Sequence, residues 1–159
     1  MTINTGDALP TCTLQHMHNG KPENITTEEI FRGKKVALFA VPGAFTPGCS
    51  LSHLPGYVVN ADKLKAAGVD TIACVSVNDA FVMDAWGKAQ NADAILMLAD
   101  GNAEFTRALG LDLDASGFGM GTRSQRYSLL AEDGKIVELN VEPGREISVS
   151  GAEHMLSLL

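Results

Sequence analysis

The stretch KVALFAVPGAFTPGCS, residues 35–50, places an apolar run directly before a turn that contains two prolines and two glycines. The run from Val36 to Val41 has the length and the unbroken hydrophobicity of a strand that is buried on both faces. From Cys49 onward the sequence predicts a helix, which Pro55 should bend or divide and which Gly68 suits as a C-terminal cap. The stretch therefore predicts a buried strand, a stiff turn and a helix, with a thiol where the turn meets the helix.

The rest of the chain repeats the alternation of strands and helices. Further strands are predicted at residues 69–77 and 94–99, and further helices at residues 78–91, 102–110 and 151–159. Asp133-Gly134 lies between two strand-like runs and is a strong hairpin signal. Loops are predicted for the turn-rich stretch HNGKPENITTEE, residues 18–29, and for the Gly-rich stretch at residues 111–124.

This order of elements predicts one α/β domain over residues 1–159. Strand, helix, strand, helix, strand gives a parallel sheet, and the later hairpin adds antiparallel strands to it. Because the predicted strands are apolar on both sides, helices are expected to cover both faces of the sheet. The outline is that of a thioredoxin-like fold, with a central mixed sheet flanked by helices.

Composition and charge argue against several classes of partner. The chain has a net charge of −7 and no dense basic cluster beyond Lys34-Lys35, whereas a nucleic-acid or anionic-membrane surface needs a positive field. Its apolar runs are far shorter than the roughly 20 residues of a membrane-spanning helix, and its first residues lack the features of a signal peptide. We expect a cytoplasmic protein that binds neither nucleic acid nor membranes.

The three cysteines, Cys12, Cys49 and Cys74, are too scattered for a disulfide framework and form no CxxC pair. Cys49 differs from the others because its sulfur would lie near the first turn of a helix, where unpaired N–H groups and the helix dipole favour the reactive thiolate. The hydroxyl of Thr46, three residues before Cys49, could donate to or accept from a small polar ligand at the sulfur. The alternative is that Cys49 is a buried small hydrophobe and the turn only a tight crossover.

The spacing Pro42-x-x-x-Thr46-x-x-Cys49 is the signature of the peroxiredoxins, and PGAFTPGCS resembles the form found in the type-5, or plant type II, subfamily. The resemblance continues in HLPGYV, CVSVNDAFVMDAW, GTRSQRYSLL and DGKIVELNVEP, and it covers nearly the whole chain in order. It implies a thiol peroxidase on a thioredoxin fold that needs no metal or organic cofactor. The implied substrates are hydrogen peroxide and small alkyl hydroperoxides.

The resemblance also implies the roles of individual residues. Cys49 would be the peroxidatic nucleophile, which cycles through a sulfenic acid; Thr46 would orient peroxide and thiolate, and Pro42 would shield the site from bulk water. Arg126 matches the active-site arginine of the family. A permanent cation beside Cys49 would stabilise the thiolate and the charge that passes to the leaving oxygen. Arg123 is a rival for this position and is expected at most to support the site.

Two routes could return the oxidised Cys49 to the thiol. Cys74 matches the second cysteine of the plant and bacterial branch and would be a resolving cysteine, but its apolar strand favours a structural role. The animal branch carries a resolving cysteine near the C-terminus, where this chain has ISVSGA, residues 147–152. We therefore expect reduction by glutathione with glutaredoxin, or by thioredoxin, and a structural Cys12.

Two competing hypotheses use the same cysteine. A redox sensor would use the oxidation of Cys49 to switch a partner interaction, without rapid turnover. A thiol hydrolase or transferase would pair Cys49 with His53, although His53 is expected to pack beside the active-site helix instead. Phe45 and Phe118 could form an apolar collar near the thiol or a dimer contact, because the resemblance implies a homodimer packed around the active-site loops.

Overall fold

The structure, a computed structural model, describes residues 2–144 and 146–159, which form a seven-stranded sheet, a two-stranded sheet and five α-helices. The strands are β1 Thr13–His18, β2 Lys21–Thr26, β3 Lys35–Ala40, β4 Thr71–Ser76, β5 Leu96–Ala99, β6 Asp112–Asp114, β7 Thr122–Ser124, β8 Tyr127–Glu132 and β9 Lys135–Val141. The helices are α1 Thr27–Phe31, α2 Leu54–Ala66, α3 Ala80–Ala89, α4 Glu104–Leu109 and α5 Ala152–Ser157.

The large sheet is mixed, as the sequence predicts. Its strand order is β2-β1-β5-β4-β3-β8-β9, with β3, β4 and β5 parallel to one another and β8 antiparallel to β3. Strand β3 is buried on both faces: Phe39 packs with α2, α3 and α5 on one side, and Leu38 packs with α1 and α4 on the other. Helices therefore cover both faces of the sheet, and the predicted fold class is confirmed.

The prediction of a loop over residues 18–29 is wrong. The segment completes strand β1, forms strand β2 and starts α1, and the turn between the strands is Asn19-Gly20, with φ of 52° and 77°. Both turn residues are in the left-handed region, as a tight hairpin turn requires. The polar side chains of β2 lie on an exposed edge of the sheet, which explains why the segment looks like a loop.

The predicted loop over residues 111–124 also contains regular structure. Strands β6 and β7 pair as a short antiparallel hairpin, and a 3-10 turn, Ser116–Phe118, lies between them. Elsewhere the predicted elements are confirmed, with Gly110 in a left-handed conformation at the end of α4. No helix among the described residues is long and apolar enough to cross a membrane.

The helix that follows the stiff turn begins with a π-helical segment, Cys49–His53, which continues into α2. The N–H of Leu54 donates to the carbonyl of Cys49, which is the wider bond of a π-helix. Pro55 lies in the first turn of α2, where the helix changes from π to α geometry without a break, and Gly68 follows the C-terminal cap of α2 with a φ of +107°.

Replacing Tyr127 with phenylalanine is expected to raise the free energy of unfolding by about 1 kcal/mol. The Tyr127 hydroxyl is fully buried and has no hydrogen-bond partner among the residues that the structure describes. Urea denaturation measures the change. Tyr57→Phe is the matched control: its hydroxyl donates to the Ser150 carbonyl at 2.8 Å, so its loss should destabilise the protein. A destabilised Tyr127→Phe variant would contradict the prediction.

Candidate active site

The sheet topology brings distant parts of the chain to the thiol. Strand β8 runs antiparallel to β3, and Tyr127 pairs with Ala40 at the end of β3. Arg126, one residue before β8, therefore lies beside the turn that follows β3. This pairing places a cation next to the first residue of the π-helical segment, Cys49, across 77 positions of the sequence.

The sulfur of Cys49 is fully buried and has polar contacts on two sides. The Thr46 hydroxyl lies 2.8 Å from Sγ, and Arg126 donates from Nη2 to Sγ at 3.2 Å. The same Thr46 hydroxyl is 2.7 Å from the carbonyl oxygen of Gly43. A hydroxyl has a single proton to donate, so the Thr46 hydroxyl donates to one of these two acceptors at a time. Two polar groups therefore converge on the sulfur, and the Arg126 guanidinium places a positive charge beside it.

The turn over residues 42–48 is held from two directions. The side chain of Asn78 accepts hydrogen bonds from the Ala44 N–H at 3.0 Å and from the Ser76 hydroxyl at 2.6 Å. On the other side, Arg123 donates to the Pro42 carbonyl at 3.3 Å. A Cβ at position 43 would lie 2.8 Å from the Arg123 guanidinium, so glycine at this position permits the contact.

Arg126, and not its rival Arg123, contacts the sulfur of Cys49. Arg126 is almost completely buried, and a Cβ at Gly48 would lie 3.3 Å from its Nη2 atom. Arg123 instead holds the carbonyl of Pro42 and, through Nε, that of Met120 at 3.0 Å. The two arginines therefore have separate tasks, since one contacts the thiol and the other supports its turn.

The second donor group of Arg126 contacts His53. The distance from Nη1 to His53 Nδ1 is 2.7 Å, and a guanidinium can only donate, so Nδ1 is the acceptor. The His53 proton is then on Nε2, which donates to the Ser150 carbonyl at 3.0 Å. Burial lowers the pKa of His53 to about 4, with a further lowering by Arg126, and the bond to Ser150 opposes the shift. His53 is therefore neutral near pH 7, with both ring nitrogens engaged.

This arrangement gives no Cys–His pair of the kind a thiol hydrolase needs. Both nitrogens of His53 bond to groups other than the sulfur, and Arg126 occupies the position beside it. The contacts of His53 with Arg126 and with the Ser150 carbonyl do not follow from the sequence. The sequence does indicate that His53 lies near Cys49, because a spacing of four residues places both side chains on one side of a helix.

The other cysteines lie in apolar surroundings. Cys74, on β4, is fully buried in the same core cluster as Cys49. Burial raises the pKa of Cys74 well above its usual value, the charge of Cys49 raises it further, and Arg126 opposes the shift. Cys12 lies in the cluster on the opposite face of the sheet, and burial also raises the pKa of its thiol. All three are free thiols, and Cys49 alone has Thr46 and Arg126 on its sulfur.

No group of three or more His, Cys, Asp or Glu side chains that could hold a metal ion occurs among residues 2–144 and 146–159. The chemistry that the site offers is that of a polarised thiol in a stiff, partly apolar turn. A thiol with polar contacts, placed where a parallel strand of a mixed sheet leads into a helix, is typical of thiol-dependent oxidoreductases with a thioredoxin-like fold.

Comparison with known proteins identifies the family. The redoxin family model matches residues 4–156. Peroxiredoxin-2E-2, chloroplastic, from rice (Oryza sativa subsp. japonica) is 52% identical over 99% of this chain and 73% of its own length. The hybrid peroxiredoxin hyPrx5 of Haemophilus influenzae is 41% identical over 100% of this chain and 67% of its own length. A crystal structure of reduced Prx3 from Vibrio vulnificus, in complex with hydrogen peroxide, is 57% identical with a TM-score of 0.96, and 99% of each chain is covered.

The chain therefore belongs to the redoxin family and, within it, to the peroxiredoxins of the type-5, or plant type II, subfamily. It is an oxidoreductase that reduces peroxides through a peroxidatic cysteine with electrons from thiols. The thioredoxin-like fold predicted from the order of strands and helices is confirmed by the same likeness.

Proposed function

We propose that Cys49 is the peroxidatic cysteine, assisted by Thr46, Arg126 and Pro42, and that the substrates are hydrogen peroxide and small alkyl hydroperoxides. One observation carries the assignment. The Thr46 hydroxyl lies 2.8 Å from the Cys49 sulfur, and the Arg126 guanidinium donates a hydrogen bond to the same sulfur at 3.2 Å. The hydrogen peroxide bound by the relative from Vibrio vulnificus, at 57% identity, supports the substrate class. The full burial of the sulfur favours small peroxides.

The proposed reaction is a displacement at oxygen. The Cys49 thiolate attacks the terminal oxygen of the peroxide, so that a sulfur–oxygen bond forms while the oxygen–oxygen bond breaks. The sulfur is oxidised to a sulfenic acid, which keeps the hydrogen of the attacked hydroxyl, and the other oxygen leaves with the electron pair. This leaving oxygen takes a proton from solvent and departs as water or alcohol. Arg126 and Thr46 stabilise the charge as it moves from sulfur to oxygen.

Pro42 contributes through the position of its ring and carbonyl. It is half-buried where the chain leaves β3, and Arg123 fixes its carbonyl at 3.3 Å. A ring at this place keeps water from the thiolate, and partial desolvation strengthens the contacts of Arg126 and Thr46 with the sulfur.

We propose that an external thiol, supplied by glutathione with glutaredoxin or by thioredoxin, returns the sulfenic acid to the thiol. Cys74 is the alternative resolving cysteine, but its thiol is fully buried and burial raises its pKa. A thiol held in the protonated form is a poor nucleophile. The sulfenic acid gains two electrons from two external thiols, releases water and leaves a disulfide between the reductant thiols.

Turnover with external thiols is expected to persist in Cys74→Ala, within about twofold of the wild-type rate, because a buried neutral thiol takes no part in the scheme. Stopped-flow consumption of hydrogen peroxide, with glutathione plus glutaredoxin and then with thioredoxin, measures the effect. A sulfenic-acid trap followed by mass spectrometry should label Cys49 and neither of the other cysteines. Loss of turnover in Cys74→Ala would make Cys74 resolving, and slow oxidation of the wild type would favour a redox sensor.

We further propose a homodimer and a cytoplasmic location. Aromatic side chains are exposed on the active-site turn, where Phe45 is 55% exposed, and at the start of α3, where Phe81 is 63% exposed. A second copy of the chain that covers these side chains would bury apolar surface near the Cys49 thiol of each copy. Sedimentation equilibrium of the reduced protein distinguishes the dimer from a monomer. Cell fractionation tests the location, which the composition and charge suggest.

A further inference from the structure

The carboxylate of Glu142, just after β9, is buried although no cation pairs with it among the described residues. It accepts hydrogen bonds from the N–H groups of Ser148, Val149 and Ser150 at 2.8–2.9 Å. The hydroxyls of Ser148 and Ser150 add bonds of 2.9 and 2.6 Å. Burial by itself would raise the pKa of Glu142, but the bonds from Ser150 and Ser148 outweigh it and lower the pKa.

These bonds fix the orientation of one peptide carbonyl. The N–H and the hydroxyl of Ser150 both donate to the same oxygen of Glu142. On the opposite side, the Ser150 carbonyl accepts from His53 Nε2 at 3.0 Å and from the Tyr57 hydroxyl at 2.8 Å. Since Ser150 is fully buried, water does not replace either set of bonds, and the position of the carbonyl depends on the carboxylate behind it.

From this carbonyl, a chain of contacts leads to the reactive sulfur. His53 takes its tautomer and orientation from Ser150, and its Nδ1 atom then accepts from Arg126. Arg126 donates its other nitrogen to Cys49. A second link is direct, because the N–H of Glu142 donates to the carbonyl of Arg126 at 2.9 Å. Glu142 thus contacts the arginine backbone and, through Ser150 and His53, restrains its guanidinium.

We propose that Glu142 is a positioning residue for the peroxidatic site, which holds Arg126 against Cys49 by fixing the Ser150 carbonyl that orients His53. The proposal rests on the proposed roles of Cys49 and Arg126. Glu142 does not touch the reacting atoms. Its carboxylate keeps the guanidinium in the one orientation that aims a donor at the sulfur.

The same contacts should affect the two half-reactions differently. Attack on peroxide needs Arg126 aligned with the sulfur and therefore needs the contacts intact. Reduction by a protein thiol needs the buried sulfur of Cys49 to become accessible, which requires the π-helical segment to open. Opening carries His53 away from Ser150 and breaks their bond. Weakening the Glu142 contacts should therefore slow peroxide attack without slowing reduction.

The experiment measures both half-reactions by stopped flow in Glu142→Gln and Glu142→Ala. Glutamine keeps one carbonyl oxygen for the N–H groups, so we expect peroxide attack to slow about threefold in Glu142→Gln and about tenfold in Glu142→Ala. Reduction by glutathione with glutaredoxin should not slow. Glu146→Ala is the matched control, because it removes an exposed carboxylate nearby and should leave both rates unchanged. The His53→Ala variant lacks the side chain that connects the Ser150 carbonyl to Arg126. Adding Glu142→Ala to it should therefore lower the rate of peroxide attack little further.

Three results would overturn the proposal: unchanged peroxide attack in Glu142→Ala, equal slowing of both half-reactions, or a full additive loss in the double variant with His53→Ala. If Glu142→Ala does not fold, Glu142→Gln carries the test, and a wild-type rate of attack in that variant counts against the proposal. The proposed function is judged separately from the wild type. A sulfenic acid on another cysteine would overturn it, whereas a normal Cys49 sulfenic acid with no effect of Glu142 overturns only the positioning role.

Discussion

Replacing Cys49 with serine is expected to slow peroxide reduction on the order of 10⁴-fold or more, the scale seen when a covalent nucleophile is removed. Serine keeps the shape of the site, so the Thr46 hydroxyl and the Arg126 guanidinium still have an oxygen to contact. The serine hydroxyl, however, does not ionise near neutral pH and is a poor nucleophile toward oxygen. Stopped-flow consumption of hydrogen peroxide by the reduced variant measures the loss.

The control for this variant is Cys12→Ala, which removes a thiol from the cluster on the opposite face of the sheet and should keep the wild-type rate. Circular dichroism of both variants establishes that the fold is retained. Peroxide consumption by Cys49→Ser at close to the wild-type rate would show that one of the other two cysteines is the nucleophile, and the assignment of Cys49 would fail.

Replacing Arg126 with lysine is expected to lower the rate constant of peroxide attack by roughly 10²-fold, the usual effect of losing one donor to a developing charge. Lysine keeps the positive charge but not the planar fork. Arg126 uses that fork to contact the Cys49 sulfur at 3.2 Å and His53 Nδ1 at 2.7 Å at the same time. A single ammonium cannot reproduce both contacts in the same geometry. Pre-steady-state measurement of Cys49 oxidation at several peroxide concentrations reports the change.

Arg107→Lys is the matched control, because Arg107 is exposed on α4 and contacts only a carbonyl and a hydroxyl near it among the described residues. Its rate of peroxide attack should equal that of the wild type. If Arg126→Lys also equals the wild type, charge alone is sufficient at this position. The importance of donating to the Cys49 sulfur and to His53 at the same time would then be wrong.

The parts of the fold that could be predicted are those whose signal is local. The apolar run at residues 36–41 predicts a doubly buried strand, and the structure confirms it as β3. Asp133-Gly134 predicts the hairpin of β8 and β9. Asn19-Gly20 carries the same kind of signal, but the following strand, KPENIT, is polar because it lies at an exposed edge, so the pattern of that segment resembles a loop.

The site could be predicted only as far as its motif extends. The positions of Thr46 and Cys49 follow from a short spacing, and their contact at 2.8 Å agrees with it. Asp79 caps α3, whereas its neighbour Asn78 holds the active-site turn, a role for which the sequence has no motif. The sequence does not mark Glu142 as a site residue. Its hydrogen-bond partners are connected to the site only when the C-terminal segment packs beside α2. Tertiary contacts of this kind have no period or motif in the sequence.

The distance along the chain between Cys49 and Arg126 also sets the order of events during protein synthesis. The cysteine leaves the ribosome 77 residues before the arginine, and the two meet only after β8 has paired with β3. A nascent chain therefore carries the Cys49 thiol before the Arg126 guanidinium can contact it. On the roles proposed above for Cys49 and Arg126, we therefore expect rapid reaction with peroxide only after the sheet is assembled, which would spare the growing chain from irreversible oxidation of this cysteine.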